Sequence, residues 1–284
     1  MKAWETHTFL SNRLLISLLN PKLMNLDLRE KHALVGGSSQ GIGLATAIEL
    51  AELGATVTLI ARNEDKLKKA LKNLPRGNKQ SHDFLVADFS NPEQVKEKVS
   101  EYVKENPIHI LVNNTGGPPA GLAIDASIQE YLDAFKLHLI CNQHLAQATV
   151  PSMKGAGYGR IINVISTSVK APLNGLGVSN TIRGAVANWS KTLANELGQF
   201  NITVNNVLPG ATNTERLTSI VTNKSKKTGK TEEEVAQDMA NAVPMKRVAE
   251  PEEVAAAIAF LASPAAAYIN GINVPVDGGR TPSL

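Results

Sequence analysis

The run Val35-Gly36-Gly37-Ser38-Ser39-Gln40-Gly41-Ile42-Gly43 joins an apolar, β-rich stretch to a helical pattern. In that position successive backbone N–H groups and a helix N-terminus make a cradle for a pyrophosphate. The glycines are expected to divide the work. Gly37 permits the tight turn, Gly41 lets the backbone approach the phosphates, and Gly43 lets the helix pack close to the sheet. Ser39, Gln40 and Ile42 complete the backbone of the cradle. Surface turns also collect Gly and Ser, and it is the placement after a first strand that favours the nucleotide reading. The second strand ends Ile60-Ala61-Arg62-Asn63. An acid there would accept a bond from a free ribose 2′-hydroxyl, whereas the Arg62 guanidinium suits a 2′-phosphate. Glu64 and Asp65 follow, but acids in the first turn of a helix are ordinary. The expected cofactor is therefore NADP(H) in preference to NAD(H).

Other chemistries find little support. The single cysteine, Cys141, excludes an internal disulfide and a Cys-based zinc site, and a lone helical cysteine reads as a small buried hydrophobe. His7, His32, His82, His109 and His144 show no metal-ligand spacing. Neither His-Glu-x-x-His nor Cys-x-x-Cys occurs, so a metallohydrolase reading has no motif.

These residues need a scaffold, and the chain supplies the pattern of one. Apolar runs at Ala33 to Val35, Thr56 to Ile60, Phe84 to Ala87, Ile108 to Val112, Ile161 to Ile165, Ile202 to Val207 and Ile272 to Val276 alternate with helical stretches. Among those stretches are one ending at Leu53, Glu64 to Leu74 and Asn91 to Glu105. Alternation of this kind predicts βαβ units and a parallel sheet. The chain has 284 residues, 43% hydrophobic and 19% charged, with no composition break and no repeat. A single domain over 24–284 follows. Residues 1–23 read as an N-terminal extension, with Met24 a candidate natural start. Its apolar run from Phe9 to Leu19 is too short to span a bilayer and lacks the features of a secretory signal. Of the net charge of +3, two units lie in residues 1–23, where Lys2, Arg13 and Lys22 face Glu5. The remainder has no general attraction for polyanions, which argues against nucleic acid and membrane partners. The single cysteine and the lack of an export signal suggest the cytoplasm. The polar segment Glu215 to Val243, with Lys224-Ser225-Lys226-Lys227 and a helix through Glu232-Glu233-Glu234-Val235, reads as a solvated loop plus helix.

Several motifs together resemble the short-chain dehydrogenase/reductase family, from about Leu26 to Gly279. Gly37-x-x-x-Gly41-x-Gly43 resembles its coenzyme loop, Ala87-Asp88 its adenine-contacting acid, and Asn113-Asn114-Thr115-Gly116 its Asn-Asn-Ala-Gly turn. Pro209-Gly210 with Thr214 resembles the segment that holds the nicotinamide carboxamide. The tail from Val243-Pro244 to Asp277-Gly278-Gly279 is similar to that of bacterial 3-oxoacyl-carrier-protein reductases. The resemblance implies a Rossmann-like, doubly wound, parallel seven-stranded sheet. It also implies Asp88, Asn114, Gly116, Pro209, Gly210 and Thr214 as cofactor contacts, and a homodimer or homotetramer.

At the catalytic positions the sequence departs from the family, which uses a Ser, a Tyr, a Lys four residues later and an Asn. Counting places Ser166 at the Ser position, Ser179 at the Tyr, Arg183 at the Lys and His138 at the Asn. A tyrosine hydroxyl titrates near about 10 and a nearby cation lowers it, while a serine is a far poorer acid. Arg183 can fork onto ribose hydroxyls but gives up no proton. His138, which ordinarily titrates near neutrality, is the member suited to proton exchange, or else a histidine packed at a contact. The expected activity is hydride transfer between nicotinamide and a carbonyl or secondary alcohol, with a 3-oxoacyl thioester as the family-based substrate. Ser166 would hold the substrate oxygen, and 215–243 would form a substrate lid. The alternative is a nucleotide-binding sensor or interaction protein that kept the cradle and lost the chemistry.

Overall fold

The computed structural model describes residues 24–77 and 80–283. The extension 1–23, with its apolar run, lies outside the described residues. Seven strands form one sheet: β1 (His32–Gly36), β2 (Thr56–Ala61), β3 (Asp83–Val86), β4 (Ile110–Asn113), β5 (Gly159–Val164), β6 (Ile202–Pro209) and β7 (Asn273–Val276). All pair in parallel, in the order β3-β2-β1-β4-β5-β6-β7. The expected doubly wound sheet is the one found, with boundaries shifted by a residue or two. β5 is buried along its whole length. Strands covered on both faces are mostly apolar, which is why they read as near-continuous runs rather than alternating ones.

Helices cover both faces: α1 (Gly41–Glu52), α2 (Glu64–Lys72), α3 (Pro92–Tyr102), α4 (Ile128–Phe135), α5 (Cys141–Ala156), α6 (Gly177–Leu197), α7 (Glu215–Thr228), α8 (Glu232–Asn241) and α9 (Pro251–Ala262). α1 packs against α9 on one face, and α3 against α5 on the other. Two large apolar clusters result, one on each side of the sheet. The chain order reverses between β1 and β4, so a crevice opens at the carboxyl ends of these strands, where open α/β sheets place ligands.

Two elements differ from the sequence-based expectation. The first half of 215–243 is a helix rather than a loop: Thr214 caps its start by accepting a hydrogen bond from Leu217 N, and Gly229 in the left-handed region stops it. Val221 is its one buried residue, so its polar composition reflects exposure rather than irregularity. Between α4 and α5 the chain makes a π-helical turn, Lys136–Ile140, that carries His138 into the interior. Such turns often mark functional positions.

A row of asparagines crosses the sheet. Asn113, Asn163, Asn206 and Asn273 stand in register on β4, β5, β6 and β7. Each amide donates to the next: Asn113 Nδ2 to Asn163 Oδ1 at 2.8 Å, Asn163 Nδ2 to Asn206 Oδ1 at 3.0 Å, and Asn206 Nδ2 to Asn273 Oδ1 at 2.8 Å. Because a slip of one residue would turn every side chain to the other face, this chain of amides fixes the register directly beneath the crevice.

Candidate active site

The glycine turn stands at the end of β1. Gly37 and Gly41 have φ of +55° and +56°, which a side chain would strain. A Cβ on Gly37 would also meet Asn114 O at 2.8 Å. The constraint at Gly43 differs from the expected packing on the sheet, because a Cβ there would lie 2.3 Å from Gly37 O. The helix is pressed against its own entry turn. Asn114 braces that turn from the end of β4, donating Nδ2 to Gly36 O at 3.1 Å. Ser38, which sequence reasoning passed over, is fully buried; it donates to Val35 O and accepts from Ile60 N, tying the turn to β2.

α1 begins without a side-chain cap at Gln40 and without acids in its first turn. Its N–H groups and the positive end of its dipole are left for an anion, whereas α2 is capped by Asn63 and carries Glu64 and Asp65. Ser39, Gln40 and Ile42 lie at this helix entry, with Ile42 partly buried against the core. Arg62 is exposed just beyond β2. The Ser90 backbone N–H holds the Asp88 carboxylate below its usual range, and Arg62 adds to this.

Across the crevice, Pro209 ends β6 and Gly210 bonds to Val276 O. Thr214 then brings α7 over the turn, its methyl 3.2 Å from where a Cβ on Gly41 would lie. Gln40 latches this rim: its amide donates to Glu215 Oε2 at 2.7 Å and accepts from Lys66 Nζ at 2.6 Å. The N-terminal end of α7 thus borders the crevice. Gly116 is exposed on the turn after β4.

Ser166, Ser179, Arg183 and His138 come from different elements. Ser166 lies two residues beyond β5 and its Oγ accepts from Ser168 N at 3.1 Å, which fixes its direction. Ser179 is partly exposed in the first turn of α6 and forms no side-chain hydrogen bond among the described residues. A strap positions that turn: Gly121 N donates to Gly175 O, and Gly177 N to Gly121 O. Arg183 is buried one turn further, its Nη1 donating to Val164 O at 2.9 Å. Burial and the neighbouring Arg216 cation lower its guanidinium to about 10, so it remains charged at neutral pH.

His138 is 2% exposed. Its Nδ1 shares a hydrogen bond with Thr115 Oγ1 at 2.8 Å, and Nε2 has no partner among the described residues. Burial, reinforced by the Arg183 cation, pushes the imidazole down to about 2. The expectation of a group titrating near neutrality is corrected here: a desolvated ring facing a cation stays neutral and can serve only as a neutral hydrogen-bond partner. The unfolded chain protonates this residue near about 6.5. Its folded form does so far lower, so the associated stability is complete above the unfolded value and is lost as pH falls. Between pH 7 and pH 5 the parent should lose about 2 kcal/mol of unfolding free energy that His138→Gln retains. Urea unfolding at the two pH values measures this, and equal losses would contradict it.

Cys141 is fully buried, its thiol bonded to Phe89 O and pushed up to about 12 by burial. It reads as a small core residue with no nucleophilic character. No group of His, Cys, Asp or Glu among the described residues could hold a metal ion. No helix among them is long and apolar enough to cross a membrane.

The cradle therefore fits a dinucleotide: a turn closed to side chains, an uncapped helix N-terminus aimed at it, and an exposed guanidinium beyond β2. Comparison with known proteins agrees. A family profile described as enoyl-(acyl carrier protein) reductase matches residues 37–281. The chain is 32% identical over 259 residues to the 3-oxoacyl-(acyl-carrier-protein) reductase FabG of Pseudomonas aeruginosa, covering 89% of this chain and 98% of that protein. It is 28% identical to the NADPH-dependent reductase BacG of Bacillus subtilis, covering 90% and 99%. Among solved structures, L-sorbose reductase from Gluconobacter frateurii, complexed with NADPH and L-sorbose, superposes with a TM-score of 0.86 at 33% identity. That likeness covers 92% of this chain and all of the other.

Proposed function

Since the chain belongs to the short-chain dehydrogenase/reductase family, we propose that it is an NADP(H)-dependent oxidoreductase acting on a small-molecule carbonyl or secondary alcohol. The observation that carries this reading is the cradle itself, with Arg62 rather than an acid at the end of β2. Relatives described as NADPH-dependent or solved with NADPH support it. The Gly37-to-Gly43 turn would hold the pyrophosphate, Arg62 the 2′-phosphate, Asp88 the adenine end, Asn114 and Gly116 the middle, and Pro209, Gly210 and Thr214 the nicotinamide end. When bound, the cofactor supplies the hydride.

The chain's own residues orient the substrate and manage a proton. Ser166 Oγ, aimed by Ser168 N, donates to the substrate oxygen. Arg183, anchored on Val164 O, turns part of its fork toward the ribose and keeps positive charge beside the reacting oxygen. His138, uncharged, holds the Thr115 hydroxyl in place through their shared hydrogen bond. Ser179 Oγ donates to the oxygen that becomes negative during carbonyl reduction and recovers its proton from solvent. Self-association as a homodimer or homotetramer is supported by the exposed apolar stripe Ile128, Leu132 and Phe135, one face of α4 at helical spacing.

The test is a binding titration together with turnover on a carbonyl panel that includes a 3-oxoacyl thioester. Parent protein should bind NADPH at least tenfold more tightly than NADH. Arg62→Ala should lose that preference by weakening NADPH alone, as expected for one charge-assisted bond worth about 1.5–3 kcal/mol. Equal affinities in the parent would contradict the cofactor assignment.

A further inference from the structure

Two guanidinium groups converge beside the turn after β4. Arg183 Nη2 and Arg216 Nη2 each stand 3.7 Å from the point where a Cβ on Gly117 would sit. Arg183 is 8% exposed, and its Nε has no hydrogen-bond partner among the described residues. Arg216 reaches in from the first turn of α7 and donates Nη2 to Pro118 O at 2.7 Å. Neither arginine forms an ion pair with a carboxylate among the described residues. Holding two like charges together, one of them dehydrated, costs free energy that their two backbone carbonyl partners offset in part and a bound anion would offset further.

We propose that Arg183 and Arg216 grip a carboxylate of the substrate beside Gly117, which makes the substrate an oxo acid, or the corresponding hydroxy acid, rather than a neutral ketone or thioester. This deepens the hydride-transfer reading and rests on it. The donors still available fit a small, two-oxygen anion: Arg183 offers Nη2 and Nε once Nη1 is committed to Val164 O, and Arg216 offers the rest of its fork. Glycine at 117 leaves the space between the forks open, and its backbone carries no positive φ that would bar another residue. Because Arg216 belongs to α7, whose first residue Glu215 is latched to Gln40, the bound carboxylate ties the lid to the substrate.

The test uses 2-, 3- and 4-oxopentanoate, each beside its methyl ester, titrated calorimetrically into protein saturated with NADP+ so that no reduction occurs. At least one free acid should bind 30-fold or more tightly than its ester. Arg216→Met should erase that advantage while NADPH affinity stays within threefold, and Arg216→Lys should restore part of it. Gly117→Asp, which places a carboxylate between the forks, should raise Tm and abolish binding of the acid. Equal binding of acid and ester in the parent would overturn the proposal. So would an Arg216→Met variant that loses NADPH as strongly as it loses the acid, since the pair would then serve the cofactor. The two readings fail separately. Arginine-dependent acid binding without any hydride transfer leaves the anion site and removes the oxidoreductase, while reduction of neutral carbonyls without acid binding does the reverse.

Discussion

Gly43→Val should weaken NADPH binding by more than 100-fold, a loss above about 2.7 kcal/mol. A Cβ at this position would stand 2.3 Å from Gly37 O and 2.8 Å from both Gly37 C and Asn114 Nδ2. The first two are backbone atoms, and Asn114 is held in place by its bonds to Gly36 O and Gly37 O. The turn cannot yield to a side chain without losing the path that presents its N–H groups. Gly184 provides the control: it lies in α6, and a methyl group there would meet nothing within 4 Å. Gly184→Ala should therefore bind NADPH like the parent and gain about 0.5–1 kcal/mol of stability. Fluorescence titration of NADPH measures both variants. Parent-like affinity in Gly43→Val would contradict the cradle.

Asn163→Leu should cost about 3–6 kcal/mol of unfolding free energy. Asn163 is fully buried and accepts from Asn113 Nδ2 while donating to Asn206 Oδ1 and, at 3.2 Å, to Ser190 Oγ. Leucine has a similar volume but strands these three partners in the interior, where each unpaired group costs about 1–3 kcal/mol. Against the usual total of about 5–15 kcal/mol, such a protein would stand close to unfolding. Urea denaturation reads the difference directly, and a loss below about 1 kcal/mol would show that the amide row carries little of the fold.

The two variants also mark what could and could not be read in the chain before its fold. The cradle was legible because backbone geometry there demands glycine itself, and the demand is met by residues close together in sequence. The alternation of apolar runs pointed to the sheet, since strands buried on both faces cannot hide their composition. The asparagine row was not legible: its partners lie 43 to 67 residues apart, and only strand pairing puts them in register. Arg216 was missed for a similar reason, being an ordinary residue of a polar helix until Gly117 and Arg183 are beside it. The helix 215–228 itself had signals that its charge run obscured, namely the Thr214 cap and the Gly229 stop. His138 was found by counting, but its protonation depends on burial and on Arg183, which no count supplies. In place of an acid that titrates near neutrality, the site has a neutral ring, two hydroxyl side chains and two arginines. That set offers hydrogen bonds and positive charge to an anionic carbonyl compound.

Hydride transfer by these residues without a tyrosine is the central claim. Incubating the protein with NADPH deuterated at C4 and the panel of oxo acids, esters, neutral ketones and a 3-oxoacyl thioester tests it most directly, with mass spectrometry locating the label. Deuterium should appear on the carbinol carbon of an oxo-acid product, delivered from one face of the nicotinamide. Tight NADPH binding with no deuterium transferred to any carbonyl would contradict the claim, and would identify the protein as a nucleotide sensor that retains the cradle alone.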